Sequence, residues 1–179
     1  MRTRGFALGC DAVRVEIRKY DDAWPKIFSR AREELTSIVG RRAVIEHVGS
    51  TSVPGLVAKP IIDILIGVNT LDPAYAESFV DVGYTYVPEH EATMPFRRFF
   101  KRYTKGSSVH VHMVVRTDPF FRDHIAFRDW LRAHPEDARA YGDLKLHLAS
   151  RLDRDAYQEQ KGPFIRAMTL RAVTVSEVD

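Results

Sequence analysis

The stretch 46-EHVGSTSVPGLVAKPIIDILIGV-68 sets two apolar runs on either side of a connection crowded with small and hydroxyl residues. Gly49, Ser50, Thr51, Ser52 and Gly55 fall within it, and Lys59 stands at its exit. The run over residues 60–68 is apolar throughout except for Asp63. An unbroken apolar run of this length is the pattern of a central strand covered on both faces, which calls for a sheet with layers on either side. Residues 43–48 read as a second strand beside it.

Upstream, residues 13–19 (VRVEIRK) alternate and predict a strand. A helix follows, with Asp21 or Asp22 as cap, Pro25 in its first turn and Gly40 at its end. Trp24, Ile27, Phe28, Ala31, Leu35 and Ile38 fall on one face of it. Downstream, residues 72–82 predict a helix closed by Gly83, 84–87 a short strand and 88–95 a polar loop. Residues 96–103 and 108–116 predict a hairpin turning at Lys105 and Gly106.

The rest reads as helix. Asp118 and Pro119 open one helix, and His134 and Pro135 divide it from the next, which has Tyr141, Leu144, Leu148 and Leu152 as its stripe. Asp153 caps a last helix carrying Tyr157, Phe164, Ile165 and Met168, with a kink expected at Gly162 and Pro163. The class is therefore α+β: a mixed sheet flanked by helices, with a helical C-terminal third. The expected organisation is a flexible N-terminus over 1–12, one domain over 13–174 and a tail over 175–179.

A chain of 179 residues fits one domain with a sizeable core. Its 45% apolar and 28% charged residues are those of an ordinary globular protein. A net charge of +3 and a pI near 9 suit an anionic ligand, but nucleic-acid binding does not follow. Cys10 is the one cysteine, which rules out an internal disulfide and fits a reducing compartment. The segment before Cys10 is too short in apolar residues for a signal sequence, and no run reaches membrane-spanning length. A cytoplasmic protein is expected.

In the opening stretch, Gly49 lets the backbone approach a ligand, and Ser50, Thr51 and Ser52 add hydroxyls beside consecutive N–H groups. With Lys59 they form a candidate phosphate cradle; the alternative is a tight turn at Pro54 and Gly55 with locally bonded hydroxyls. Neither GxxxxGK[ST] nor GxGxxG is present in the loop. Strand parity puts Asp63 and Leu65 on one face and Ile62, Ile64 and Ile66 on the other. A buried carboxylate must be paired, hydrogen-bonded, metal-bound or protonated.

His110 and His112 share a face of the later strand and could ligate a metal, move protons or touch phosphate; solvated or packed histidines are the alternative. Arg97 and Arg98 point to opposite faces and suit phosphate or carboxylate, or else protect a sheet edge. Lys145 and Lys161, on the late helices, could reach over the sheet, but nothing in the sequence separates them from solvated helix faces.

Several motifs together resemble the GrpB family (UPF0157), small bacterial proteins with a nucleotidyltransferase-like fold. They are YDDAWP at 20–25, EHVGSTSVPGLVAKPIIDI at 46–64, RRFF at 97–100, HVHMV at 110–114, HIAFRDWLRAHP at 124–135 and KGPFI at 161–165. The resemblance runs over about residues 15–171. It matches Gly49 and Ser50 to the Gly-Ser pair of the nucleotidyltransferase superfamily and Asp63 to the first acid of its acid-x-acid motif. Leu65 departs from the second acid, and a third acid's place falls near His112, which puts two-metal chemistry in doubt. Relatives joined to dephospho-coenzyme A kinase imply a coenzyme A or adenine-nucleotide ligand.

The expected function is nucleotide binding, with ATP or a related nucleotide, and transfer of a nucleotidyl or adenylyl group to an unknown small-molecule acceptor. Gly49, Ser50, Thr51, Ser52, Arg97, Arg98 and His110 would hold the phosphates, and Asp63 one Mg²⁺. Lys59 or Arg98 would balance charge in the transition state, and His112 would orient the acceptor or act as base. ATP-dependent activation of a carboxylate uses the same chemistry. The alternative is a non-catalytic module binding a nucleotide or coenzyme A derivative, and a zinc hydrolase built on the histidines stands third. No nucleic-acid or membrane partner is expected, and the oligomeric state is open.

Overall fold

A computed structural model describes residues 15–104 and 106–176. Among these residues five strands form one open sheet: β1 (Val44–Val48), β2 (Ile61–Val68), β3 (Thr85–Tyr86), β4 (Arg97–Thr104) and β5 (Ser107–Val115), in the order β1-β2-β5-β4-β3. β2 and β5 run parallel at the centre, and the other neighbours are antiparallel. The sheet is mixed and the fold is α+β, as the chain's pattern of elements predicts.

Parity along β2 divides the molecule. Ile62, Ile64 and Ile66 enter the main core with Val111, Met113 and Phe100, covered by α1 (Ala23–Val39) and α2 (Ala74–Asp81). Trp24, Ala31 and Leu35 of α1 are buried there, on the stripe expected from their spacing. The opposite face meets α3 (Pro119–Ala133), whose Phe121 packs on Val48, Leu65 and Val114. Beyond it α4 (Pro135–Ala149) and α5 (Arg154–Ser176) close over the connection between β1 and β2 through Val53, Leu56, Leu131 and Tyr141. The side chains of Asp118 and Asp153 cap α3 and α5, and Asp21 accepts from the first N–H of α1.

Several expectations shift. Residues 13–19 were expected as a strand, but over the described part only Arg18 bridges to Ala58, through two backbone bonds of 2.8 and 2.9 Å. The next bonded pair would need an N–H from Pro60, which has none, so the ladder stops. The loop over 88–95 contains a 3₁₀ turn at Pro88–Ala92, and the strand over 84–87 keeps only Thr85–Tyr86. α5 runs from Arg154 through Pro163 to Ser176, two residues into the expected tail. The N-terminal segment 1–12 with Cys10, residues 13–14, Lys105 of the hairpin turn and 177–179 lie outside the described residues. Among the described residues no helix is long and apolar enough to cross a membrane.

Candidate functional site

The face of the sheet away from α1 and α2 carries a ladder of polar side chains. Backbone register sets Asp63 of β2 beside His110 of β5 and Lys101 of β4, then Leu65 beside His112 and Phe99, then Gly67 beside Val114 and Arg97. Side chains paired across strands share a face, so Asp63, both histidines and Arg97 converge. They line a cleft of about 1140 Å³ between this face and α3–α5, with Gly49, Ser50 and Lys59 at the near wall. Arg98 takes the other parity: it pairs with Glu91 at 2.8 Å, donates to the Pro95 carbonyl and stays out of the cleft.

The hydroxyl loop forms one 3₁₀ turn, Ser50–Ser52. The Thr51 hydroxyl donates to the Ile61 carbonyl at 2.9 Å, so the His47 Nε2–H beside it, at 3.1 Å, is the donor to Thr51. The Ser52 hydroxyl turns back to the Gly49 carbonyl at 2.6 Å. Both side chains are buried and spent on the loop's shape, as the tight-turn alternative requires. Ser50 and the Gly49 backbone stay open to the cleft. Gly49 has φ 71° and ψ −176°, a region reserved for glycine, and a Cβ there would strike Asp63 Oδ2. The glycine lets the loop close over the carboxylate.

Asp63 Oδ1 lies 3.8 Å from His110 Nδ1 and 3.8 Å from His112 Nε2, too far for direct hydrogen bonds. Burial works to raise the Asp63 carboxyl, but His112, His110 and Lys161 outweigh it and hold it below the usual range. Burial drives His110 down to about 4 despite Asp63, and drives His124 to about 4 with His112 adding to the effect.

Three lysines from separate elements meet at this cleft. Lys59 and Lys161 flank the Tyr157 ring, at 5.3 and 5.5 Å from its centroid, and Lys145 lies 4.6 Å from that of Tyr141. Lys145 also donates to the Val57 carbonyl and is 2% exposed. Burial, then Lys161 and Lys59, push Lys145 down to about 7; burial and Lys59 push Lys161 to about 8 against the pull of Asp63. Lys59 is lowered as well, first by burial. Sequence reading did not place Lys145 or Lys161, because a helix-face lysine shows no sign of what the helix covers.

Arg97 is 6% exposed and donates to Nδ1 of His112 at 3.1 Å and to Nδ1 of His90 at 2.9 Å. A guanidinium only donates, so both rings accept on Nδ1 and, when neutral, carry hydrogen on Nε2. His124 is the reverse: Nδ1 donates to the Phe120 carbonyl at 2.8 Å, which leaves a lone pair on Nε2. His90 and His124 both line the cleft and were missed from sequence. His90 sits in a stretch without periodicity, whereas His124 falls one turn after Phe120 behind a clear helix start, the one available signal.

A resident metal does not fit these donors. Mg²⁺ prefers oxygen ligands, and Asp63 is followed on its face by Leu65, fully buried. Glu46, opposite Leu65, is committed to Arg128 at 2.6 Å. For zinc, His112 would need a lone pair on Nε2, where it carries hydrogen while Nδ1 accepts from Arg97. Among the described residues no group of three or more His, Cys, Asp or Glu could hold a metal.

Comparison with known proteins gives the family. The model of the GrpB protein family matches residues 14–171. UPF0157 protein YqkA of Bacillus subtilis (strain 168) is 39% identical over 140 residues, 76% of this chain but only 40% of YqkA, so the chain spans well under half of that relative. A dephospho-CoA kinase of Mycolicibacterium paratuberculosis (strain ATCC BAA-968 / K-10) is 29% identical over 180 residues, 85% of this chain and 44% of the kinase. The crystal structure of conserved protein GrpB from Enterococcus faecalis aligns with TM-score 0.80 and 32% identity, over 90% of this chain and 99% of that one. With the fold and nearly the whole length of the domain in common, the chain belongs to the GrpB family.

Proposed function

We propose that the cleft binds the phosphate chain of a nucleotide and that the chain transfers a nucleotidyl group from it to a small-molecule acceptor. One observation carries the reading: Lys59, Lys145 and Lys161 converge on the cleft beside a single central acid, Asp63, and weaken one another's charge there. A cluster of cations held apart from counter-ions is relieved by a polyanion, and each charge-assisted bond to phosphate contributes about 1.5–3 kcal/mol. Lys59 and Lys161, steered by Tyr157, hold the β- and γ-phosphates, and Ser50 and the Gly49 backbone lie at their edge. Ionised Asp63 accepts a hydrogen bond from the acceptor's O–H or N–H and aims its lone pair at the α-phosphorus. The new O–P or N–P bond forms as the bond to the β-phosphate oxygen breaks. Pyrophosphate leaves with its charge on the lysines, and the acceptor's proton passes by way of Asp63 to solvent.

Leu65 in place of a second acid favours another reading, a scaffold that holds a nucleotide or coenzyme A derivative without turnover. The dephospho-CoA kinase relative points toward the same ligands. Pyrophosphate release from ATP, assayed with and without Mg²⁺ over a panel of acceptors, separates the two. Release that falls at least a hundredfold in Asp63→Asn supports transfer. Tight ATP binding with no release supports the module, and no binding of ATP or tripolyphosphate at all defeats both.

A further inference from the structure

The cleft has a second cationic pole, built on Arg97. Its guanidinium is buried, and burial alone lowers its pKa; no carboxylate pairs with it among the described residues, and its Nε has no partner there. The Phe99 and Phe120 rings, 5.2 and 5.8 Å from its Cζ, offer only weak compensation. Its remaining contacts are the Nδ1 atoms of His90 and His112, which accept and so leave an Nε2–H donor on each ring, that of His112 lying 3.8 Å from Asp63 Oδ1. A buried cation without a counter-charge is costly, and two donors polarised by one guanidinium match the two oxygens of a planar carboxylate. Among the described residues the protein supplies no acid to Arg97: the residue paired with His112 on β2 is Leu65, and Asp63, 3.8 Å from His112 Nε2 and too far to hydrogen-bond it, is shared among His112, His110 and Lys161.

We infer that His90 and His112, backed by Arg97, form a subsite for the carboxylate of the acceptor molecule. His124 refines the class. Its ring centroid is 6.4 Å from that of His112, and its Nε2 lone pair repels a carboxylate oxygen but takes a hydrogen from a hydroxyl or amine. The acceptor is therefore a hydroxy- or amino-carboxylic acid. Naming it the acceptor rests on the nucleotidyl-transfer reading, whereas the carboxylate subsite stands on its own residues.

The test uses the full chain with ¹⁵N-labelled histidine, titrated with glycolate, with ethylene glycol as the neutral control and with tripolyphosphate for the lysine pole. Glycolate is expected to move the His90 and His112 ring signals and saturate, and ethylene glycol to leave them in place. Saturating tripolyphosphate leaves the glycolate response intact. Arg97→Gln raises the glycolate Kd at least tenfold and shifts the His112 tautomer signature, and Arg97→Lys, which keeps the charge, recovers part of the affinity. Unmoved histidine signals in the native chain, equal binding of ethylene glycol, an unchanged Kd in Arg97→Gln, or displacement of glycolate by tripolyphosphate would each overturn the subsite. Glycolate binding without tripolyphosphate binding would keep the subsite and sink the nucleotide reading instead.

Discussion

Burial and Lys59 lower both Lys145 and Lys161, Lys161 lowers Lys145 further, and Asp63 offsets this only at Lys161, so a ligand's negative charge would relieve both. With values near 7 and 8, they lose protons across the neutral range in the empty cleft. A bound polyphosphate favours the charged forms, so binding takes up protons between about pH 7 and the higher values of the complex. Affinity for tripolyphosphate should thus fall as pH rises from 7 to 9, by up to about tenfold per pH unit for each proton taken up. Calorimetric titration in buffers of different ionisation enthalpy checks both slope and proton uptake. Gly49 makes a second residue-scale case. Gly49→Ala must hold a glycine-only conformation and displace Asp63, a cost of about 1–3 kcal/mol from the backbone alone. Gly55→Ala, where no neighbour lies within 4 Å, should lower the urea midpoint less. At this scale Asp63, His110 and His112 were legible because strand parity places them. The lysines were not, since their role depends on packing between distant segments.

The hydroxyl loop is held by α3 as well as by its own bonds. Arg132 donates to the Ser52 carbonyl at 2.7 and 3.1 Å, and Arg128 donates to the His47 carbonyl at 3.1 Å and pairs with Glu46 and Asp129. Helix and loop are therefore one unit: the end of β1, the turn and the start of β2 keep their shape while α3 is docked. Arg128 is 8% exposed, and removing one partner of such a pair leaves the other charge and a carbonyl unsatisfied. Arg128→Ala should cost about 2–3 kcal/mol in urea unfolding. It should also speed hydrogen exchange at the amides of Ser52 and Val53, ahead of the α1 side of the sheet. Periodicity found the helices and four of the five strands nearly in full, because those elements bury a face. It failed over the described residues 15–19, where alternation was real but Pro60 removed the donor the ladder needed. Sequence reading did not single out Arg128 and Arg132 of α3, for the same reason as the lysines.

Across the whole molecule the two faces of the sheet do different work. The α1–α2 side is an aliphatic and aromatic core in which His47 stacks on Phe28, while the α3–α5 side keeps ionisable groups half-buried around one cleft. Buried histidines on both sides leave the fold sensitive to acid. His47, His110 and His124 are each driven by burial to about 4, from an ordinary value of 6.5 that the unfolded chain regains. Between these values the unfolded state binds more protons, so the stability these rings allow is complete above pH 6.5 and lost as pH falls toward 4. At pH 5 the loss is on the order of 2 kcal/mol for each ring relative to pH 7. Urea unfolding at the two pH values should therefore show a drop of several kcal/mol, with up to three protons taken up. His124→Phe keeps the stack on Phe120, whose ring centroid lies 3.9 Å away, but has nothing to protonate. Its drop should be smaller by about one ring's share, and an undiminished drop would mean that the cleft opens to water before His124 is charged.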